Sequence, residues 1–292
     1  MQESLQGLLD QFHARVPIRA GSLIVSLFGD AIVPRGGQLA LSSLVAIMRA
    51  FRINEGLVRT AMSRLVRDGL FERSKLGRNS FYRLSRSGQR TFAEATSRIY
   101  GSPVRHWNGA FALLLLDNGQ DRGALRAELR AAGCGELAPG WVLHPAAETP
   151  VPDGNGFIRL TATAADPTIA RRLAARAWPI GEIEARYRDF LAAFTPIFSA
   201  EVSGVPLAPV EALVARILLI HDYRRVILRD PLLPVELLPE PWAGGAARQL
   251  CGRLYRQLVP AAERWLDTEA MADRGPLPPP DPTFAGRFAV LD

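Results

Sequence analysis

Residues 54–84 constrain the fold most, because an amphipathic helix pattern runs there directly into the pattern of a strand hairpin. Asn54 is a favourable helix N-cap and Gly69 a natural helix terminator, so we expect a helix between them through Arg67. Two strand-like runs, LFERS and SFYRL, follow at once and are joined by KLGRN, a turn that contains a glycine and two cations. The segment therefore predicts a helix followed immediately by a β-hairpin.

The patterns on either side complete a known order of elements. The run SLIVSLFGDAIV, from Ser22, predicts a buried helix that ends in the turn PRGG, and QLAL predicts a short strand. A helix through Ala50 precedes the segment, and another follows it to Tyr100. Helix, strand, helix, helix, hairpin, helix is the order of a winged helix-turn-helix. Residues 1–100, with an N-terminal arm over residues 1–20, are thus predicted to form such a DNA-binding domain.

The predicted third helix of this domain has one apolar and one polar face on a helical wheel. Six apolar side chains share one half of the wheel: Leu57, Val58, Ala61, Met62, Leu65 and Val66. The opposite half carries Gly56, Arg59, Thr60, Ser63 and Arg67, with Arg64 on its flank. Arginines and hydroxyls contact phosphates and base edges, and a glycine allows close approach of the backbone. This polar set predicts a helix that enters the major groove, although many amphipathic helices carry cations on a merely solvated face.

The hairpin offers a second set of cations directly after that helix. Lys75 and Arg78 belong to its turn, from which they can follow the phosphates of one DNA strand. A solvated hairpin turn would have a similar composition. The neighbouring helix is what favours the DNA-binding interpretation.

The net charge of the chain is concentrated in the same region. Residues 1–100 contain 15 Lys and Arg against 7 Asp and Glu, whereas residues 101–292 contain 20 against 22. The whole excess of +6 therefore belongs to the first third of the chain. A basic domain on a nearly neutral remainder predicts a polyanionic partner, nucleic acid before a membrane.

Two further regions are predicted downstream, so that the chain as a whole is a multidomain α+β protein. Residues 101–179 have the order strand, helix, strand, strand, helix, which favours a ferredoxin-like middle domain. Residues 180–292 are predicted to form a helical C-terminal domain. Its proline-rich tail, RGPLPPPDP, has a polyproline-like composition that needs no regular fold.

Several stretches together resemble one family. SLIVSLFGDAIVPRGG and INEGLVRTAMSRLVRDGLFERSKLGRNSFYRLSRSGQRTF are similar to the winged-helix domain of the PaaX family of bacterial transcriptional repressors. HDYRRVILRDPLLPVELLPEPWAG and ARQLCGRLYRQL resemble the C-terminal domain of that family. The resemblance covers nearly the whole chain. It implies a homodimeric repressor of an aromatic-acid operon of the phenylacetate type, which binds a palindromic operator and is released by an aryl-CoA thioester such as phenylacetyl-CoA.

The candidate site for an acyl-CoA effector is the cluster HDYRR together with the arginine that follows it. A site for a CoA thioester needs arginines for the phosphates and an apolar slot for the acyl group. The predicted effector-binding residues are His221, Tyr223, Arg224, Arg225 and Arg229. In the alternative interpretation, Asp222 pairs with Arg225 on the same helix and His221 is a packed histidine. The motif could equally fix the C-terminal domain against the middle domain or against a second subunit.

No pattern typical of a catalytic, cofactor or metal site stands out, so we predict a non-enzymatic protein without a cofactor. Cys134 and Cys251 lack metal-ligand spacing. The alternative is a metal-dependent nuclease, because Asp117 stands where the CRISPR nucleases similar to the middle domain carry an acidic metal ligand. An aspartate that caps a turn at a strand end is far commoner. A DNA-binding regulator with a different or no small-molecule effector is a third possibility.

The sequence also predicts the cellular compartment of the protein. The N-terminus, MQESLQGLLDQFHARVP, contains acidic residues and lacks the apolar core of a signal peptide. No apolar run is long enough to cross a bilayer. We therefore expect a cytoplasmic protein without a membrane partner.

Overall fold

The structure is a computed structural model that describes residues 2–15, 20–101, 106–117, 122–145, 156–202 and 207–289. It is an α+β protein, as predicted, and its sheets are antiparallel. The chain folds into two compact units. The first unit comprises Met1–Ser102, Phe190–Arg225 and Ala247–Asp292, and the second comprises Pro103–Asp189 and Val226–Ala246. These units do not coincide with the three consecutive regions expected from the sequence. The division into three regions stays a prediction.

The first unit begins with helices and a small sheet. Its N-terminal elements are α1 (Gln2–Ala14), α2 (Ala20–Leu27), β1 (Gln38–Ala40), α3 (Leu41–Ala50), α4 (Glu55–Arg67), β2 (Phe71–Leu76), β3 (Asn79–Leu84) and α5 (Arg86–Tyr100). Between α2 and β1 the chain makes a π-helical turn and then a 3-10 turn. Both β1 and β2 pair antiparallel with β3, so the strand order is β1-β3-β2.

The motif FGD of the π-helical turn lies at the centre of this region. The Phe28 ring is fully buried and meets the Phe71 ring of β2 edge-on, with 4.7 Å between the ring centroids. A Cβ at Gly29 would lie 2.7 Å from the Phe92 ring of α5. A larger residue at this position would therefore require the Phe92 ring to move.

The second unit contains one sheet with helices. Its elements are β4 (Ala110–Leu116), α6 (Arg122–Ala131), β5 (Gly135–Ala138), β6 (Trp141–Pro145), β7 (Phe157–Thr163) and α7 (Pro167–Ala177). The strands form one antiparallel sheet in the order β5-β6-β4-β7. Strand β5 is missing from the sequence-based order because GELA is short and has no β-branched or aromatic residue. The start of α7 is as predicted, since Asp166 Oδ1 accepts a hydrogen bond from the Ile169 amide at 2.9 Å.

Three long helices and two very short strands follow: α8 (Ile180–Val202), α9 (Pro209–Ile227), α10 (Ala243–Glu269), β8 (Met271–Ala272) and β9 (Gly275–Pro276). The proline-rich tail contains regular structure, whereas its composition was interpreted as needing none. It pairs in β9, begins a 3-10 turn at Pro282 and leads to Phe288, which is fully buried. The Asp281 amide also donates to the Pro34 carbonyl at 2.8 Å. Composition did not reveal this anchoring, because it depends on contacts of individual side chains, such as those of Arg287 and Phe288, with distant parts of the fold.

Candidate nucleic-acid interface

Helix α4 begins and ends where its sequence predicts. Asn54 Oδ1 accepts a hydrogen bond from the Leu57 amide at 2.9 Å, which caps the first turn. Gly69 has a left-handed φ of 73° and follows the last turn as its terminator. Val58 and Met62 are fully buried where the helix packs against α2 and α3. The opposite face of α4 is therefore directed towards solvent.

All eight residues predicted to contact DNA are exposed. They are Gly56, Arg59, Thr60, Ser63, Arg64 and Arg67 on α4, with Lys75 and Arg78 on the hairpin. Strand β2 begins four residues after α4 ends and also packs against it. Exposure is a requirement for DNA contact, and the assignment of these residues stays a prediction.

Leu57 was expected to be buried with the apolar half of the helix, and this expectation was wrong. Its side chain is 43% exposed. Ala61, Leu65 and Val66 are only partly buried, so the covered face is narrower than half of the helical wheel. The exposed surface of α4 thus includes one large apolar side chain in its first turn.

The three arginines of α4 differ in their partners. Arg59 donates through Nε and Nη2 to Oε1 of Glu55, at 2.8 and 2.6 Å. Arg67 lies 3.6 Å from the Asp68 carboxylate, which is an ion pair without a hydrogen bond. Arg64 pairs with no acidic side chain in the part of the chain that the structure describes. Sequence reasoning missed the Glu55 contact because it considered only the central positions of the face.

The hairpin places its cations at and beside a two-residue turn. Gly77 and Arg78 connect β2 to β3, and Gly77 has a left-handed φ of 59°. Lys75 and Arg78 are exposed, and neither pairs with an acidic side chain among the described residues. Leu76 beside them is 60% exposed. The turn therefore presents two cations and one apolar side chain.

The cluster HDYRR makes contacts inside the first unit. His221 is buried, and its Nδ1 lies 2.9 Å from Ser26 Oγ of α2. Arg224 Nη1 donates to the Ser22 carbonyl at 3.1 Å and to Ser26 Oγ at 2.9 Å. Burial lowers the pKa of His221 to about 4, although the neighbouring carboxylate of Asp222 acts in the opposite direction. Helix α9 is therefore joined to α2 through polar side chains.

The other members of the predicted effector set lie in different surroundings. Tyr223 is buried, and its ring stands 5.6 Å from that of Phe190. Arg225 and Arg229 are both exposed, and Arg229 belongs to the second unit. Asp222 is 3.9 Å from Arg225, whereas Arg15, which directly follows α1, donates two hydrogen bonds to it, of 2.5 and 3.0 Å. Asp222 is thus hydrogen-bonded to the N-terminal arm and lies farther from the arginine on its own helix.

A buried charged cluster, which sequence reasoning missed, surrounds Asp30 of the FGD motif. The Asp30 carboxylate accepts hydrogen bonds from Tyr100 (2.7 Å), Tyr255 (2.9 Å), Arg216 (2.7 Å) and Arg287 (3.1 Å). These donors come from α5, α10, α9 and the C-terminal tail. A buried carboxylate is tolerated only when donors and opposite charges surround it in this way.

The cluster extends from Asp30 to the motif PRGG. Arg216 also donates to Glu263, and Glu263 lies 3.0 Å from Nε of the buried Arg35. Arg35 reaches Asp267 as well. Arg35, Arg216 and Arg287 thus face the three carboxylates Asp30, Glu263 and Asp267, so the cluster is balanced in charge.

Burial and neighbouring charges act on the pKa values within the cluster. Burial raises the pKa of Tyr100 well above its ordinary value, and the charge of Asp30 acts in the same direction. Burial alone would lower the pKa of Arg216, but the carboxylates of Asp30 and Glu263 hold it above its ordinary value. Tyr100 therefore remains a hydrogen-bond donor and Arg216 a cation.

Comparison with known proteins agrees with this arrangement of motifs. Residues 19–88 match the family model described as PaaX-like protein, and residues 178–268 match the PaaX-like protein C-terminal domain. The transcriptional repressor PaaX of Escherichia coli (strain K12) is 37% identical, over 97% of this chain and 96% of its own length. The chain belongs to the PaaX family. The predicted resemblance is thereby confirmed.

A solved structure also has a related fold. The uncharacterized protein Rv0674 from Mycobacterium tuberculosis matches with a TM-score of 0.50 and 23% sequence identity. The match covers 76% of this chain and 89% of that chain. At this identity the likeness concerns the fold alone.

The buried cluster gives a structural meaning to two stretches that carry the PaaX resemblance. FGD supplies Asp30, and PRGG supplies Arg35, so both motifs connect the N-terminal helices to α9, α10 or the tail. One signal in the sequence could have indicated the cluster. Arg216 interrupts the apolar run VARILLI, and an arginine in such a run requires a buried acidic partner.

Within the described ranges, no group of three or more His, Cys, Asp or Glu side chains could hold a metal ion. Among the helices of those same ranges, none combines the length and apolar character that crossing a membrane requires. Asp117 follows β4 and is exposed, and its amide donates to the Gly156 carbonyl at 2.8 Å.

Proposed function

We propose that this member of the PaaX family is a transcriptional repressor that binds operator DNA through a winged helix-turn-helix. The observation that carries the proposal is the outward face of α4, where six exposed residues suited to DNA contact precede a hairpin with two exposed cations. Helices α3 and α4 and the sheet β1-β3-β2 have the chain order of such a domain. The Escherichia coli relative is a transcriptional repressor, which supports the same role for this chain.

In this proposal α4 lies in the major groove. Arg59, Thr60, Ser63 and Arg67 face base edges or phosphates, and Gly56 allows close approach of the helix. Arg64, on the flank, contacts a phosphate. Lys75 and Arg78 on the hairpin contact the phosphates of one strand. Arg64, Lys75 and Arg78 are suited to these roles because no described acidic side chain competes for them.

The remaining architecture is proposed to be a ferredoxin-like middle domain over residues 101–179 and a helical C-terminal domain over residues 180–292. The strand order β5-β6-β4-β7 supports the ferredoxin-like assignment. In this order β4, the first strand of the region along the chain, lies between β6 and β7 and runs antiparallel to both. Two subunits would bind a palindromic operator, with half-sites roughly 34–36 Å apart or a multiple of that spacing.

The effector is proposed to be an aryl-CoA thioester such as phenylacetyl-CoA, bound by His221, Tyr223, Arg224, Arg225 and Arg229. Exposed Arg225 and Arg229 are suited to phosphate groups. Arg224 is joined to Ser22 and Ser26 of α2, and α2 packs against α4. An effector that drew Arg224 away would therefore remove polar contacts from a helix that supports α4.

The test begins with selection of preferred duplexes from a random-sequence pool, followed by binding measured by fluorescence anisotropy. We expect specific binding that acyl-CoA titration reverses, with phenylacetyl-CoA more effective than acetyl-CoA or free phenylacetate. Failure to enrich any sequence would contradict the repressor proposal. Enrichment without a response to any acyl-CoA ester would leave a DNA-binding regulator and contradict the effector assignment.

A further inference from the structure

The first turns of α4 contain an arginine whose guanidinium is held on one side only. Both hydrogen bonds from Arg59 to Glu55 use the same carboxylate oxygen, Oε1, and they occupy Nε and one N–H of Nη2. Arginine has five N–H donors, so both N–H groups of Nη1 and the second N–H of Nη2 remain for another acceptor. Those donors form the outer fork of the guanidinium, which is the geometry that matches O6 and N7 of guanine.

The backbone of the acidic partner of Arg59 is held by a helix cap. Glu55 is the first residue of α4, and the Asn54 cap holds the turn to which it belongs. A carboxylate in the first turn also interacts favourably with the helix dipole. Glu55 therefore offers a well-placed acceptor that reduces the number of conformations open to the long Arg59 side chain.

An acidic residue on a DNA-binding surface otherwise has a cost. It repels phosphates and weakens binding to every duplex, whatever the sequence. The other arginines of α4 show that such a partner is not general, because Arg67 has only a 3.6 Å contact with Asp68. Arg59 thus differs from the other arginines of this helix, because two of its N–H groups donate to one carboxylate oxygen. It also lies near the N-terminal end of α4, the part of a recognition helix that contacts base edges.

We infer that Glu55 is a positioning residue that holds the guanidinium of Arg59 for bidentate recognition of one guanine in each operator half-site. This inference rests on the proposed function and adds to it the base that Arg59 recognises and the residue that orients Arg59. Glu55 lowers general affinity for DNA and raises discrimination between sequences. The two effects have opposite signs, which makes the role measurable.

The experiment uses the full chain and the duplex selected by the wild-type protein. Each G·C pair of one half-site is replaced in turn, and affinities for the replaced and original duplexes are measured by fluorescence anisotropy. One replacement should weaken wild-type binding by roughly 5- to 150-fold and leave the Arg59→Ala variant nearly unaffected. That pair identifies the guanine.

Glu55→Gln then tests the positioning role. We expect it to reduce discrimination at that pair at least about threefold, and to bind duplexes of unrelated sequence more tightly than wild type. Glu55→Asp keeps the negative charge but is one methylene shorter, so it should lose discrimination without the gain in general affinity. Both substitutions are at an exposed position, and thermal unfolding should show that they leave the fold unchanged.

The matched control is Glu72→Gln in the hairpin. Glu72 accepts from Nε and Nη2 of Arg83 through one oxygen, at 3.1 and 2.9 Å. The side-chain exposures of this pair, 63% for Arg83 and 48% for Glu72, are close to 59% and 48% for Arg59 and Glu55. Glu72→Gln removes the same charge from the same domain, so it should preserve discrimination at the identified guanine.

Three results would overturn the inference. Glu55→Gln could retain full discrimination while binding all duplexes more tightly, which would make Glu55 a simple repulsive charge. Glu72→Gln could reduce discrimination as much as Glu55→Gln, which would make the effect one of general charge. Finally, no G·C pair could depend on Arg59 although a sequence is selected, in which case the repressor proposal would stand alone. If no sequence is selected at all, both proposals fail.

Discussion

Two groups of arginines in the first unit have the same chemistry and opposite surroundings. The α4 group, Arg59, Arg64 and Arg67, is exposed to solvent, whereas the central group, Arg35, Arg216 and Arg287, is buried or nearly so. The central group faces three carboxylates. The α4 group has two acidic neighbours, both at the ends of the helix.

Arginine content alone therefore does not identify a nucleic-acid surface. A cation suits an anionic ligand when few protein carboxylates satisfy it and water or ligand can reach it. The central group fails both conditions, since its charges are already neutralised inside the fold. Its role is to hold the N-terminal helices, α9, α10 and the tail together. The proposed DNA surface lies on α4, which packs against α2, the helix that precedes the turn containing Asp30.

The largest expected effect comes from opening the central cluster. Arg216→Ala would leave the Asp30 carboxylate buried without its principal cation, and we expect a loss of about 3–5 kcal/mol in the free energy of unfolding. Chemical denaturation measures this loss. Arg64→Ala, on the exposed group, should change the unfolding free energy by less than about 0.5 kcal/mol. Equal losses in the two variants would remove the distinction between the groups.

A second prediction concerns a buried group that stays neutral. Burial lowers the pKa of His221 from 6.5 to about 4. Between these two values the unfolded chain binds more protons than the folded protein, so stability falls as pH decreases from about 6.5 towards 4. The contribution of His221 to this loss should be roughly 3 kcal/mol.

The measurement compares unfolding free energies at pH 7 and pH 4.5 for wild type and His221→Gln. The variant has no imidazole to protonate, so its decrease over this range should be smaller than that of wild type. The carboxylates titrate in both proteins, so their contribution largely cancels in the comparison. A decrease of the same size in both would show that His221 does not stabilise the contact between α9 and α2 in its neutral form.

The third prediction tests the exposed group by its ligand. Arg67→Ala should weaken binding to the selected operator by about 1–3 kcal/mol and relax the sequence preference, if Arg67 contacts a base edge. Unfolding should be nearly unchanged because the side chain is exposed. Anisotropy titrations with selected and scrambled duplexes measure both affinity and preference. Wild-type affinity in this variant and in Arg59→Ala would contradict the placement of α4 in the major groove.

The smallest effect is expected at the hairpin. Lys75→Ala should weaken binding to all duplexes alike and reduce the slope of log K against log salt by about one. Arg90→Ala on α5 is a matched control, because Arg90 is exposed in the same unit but outside the predicted surface. Titration at several salt concentrations separates the two variants. An unchanged slope for Lys75→Ala would remove the hairpin from the interface.

Much of the local structure followed from the sequence. The Asn54 cap, the Gly69 terminator and the two-stranded hairpin are all set by neighbouring residues, and each was predicted. The exposure of Leu57 was not predicted, because it depends on how wide a face α2 and α3 cover. The strand β5 was missed because its pairing with β6, rather than its composition, makes it a strand.

The sequence alone was sufficient to predict the order of helices and strands from β1 to α5, the family, and the polar side of α4 that faces outward. These properties depend on periodicity, caps and motifs that lie within a few residues of one another. Only the tertiary structure decided that Asp30, Arg216 and Arg287 meet, since they are separated by 186 residues or more in two of their pairings. A buried ion cluster forms only when several distant elements exclude water together. A local pattern such as Arg216 within VARILLI can indicate that a buried partner is needed, but it does not identify the residue that supplies it.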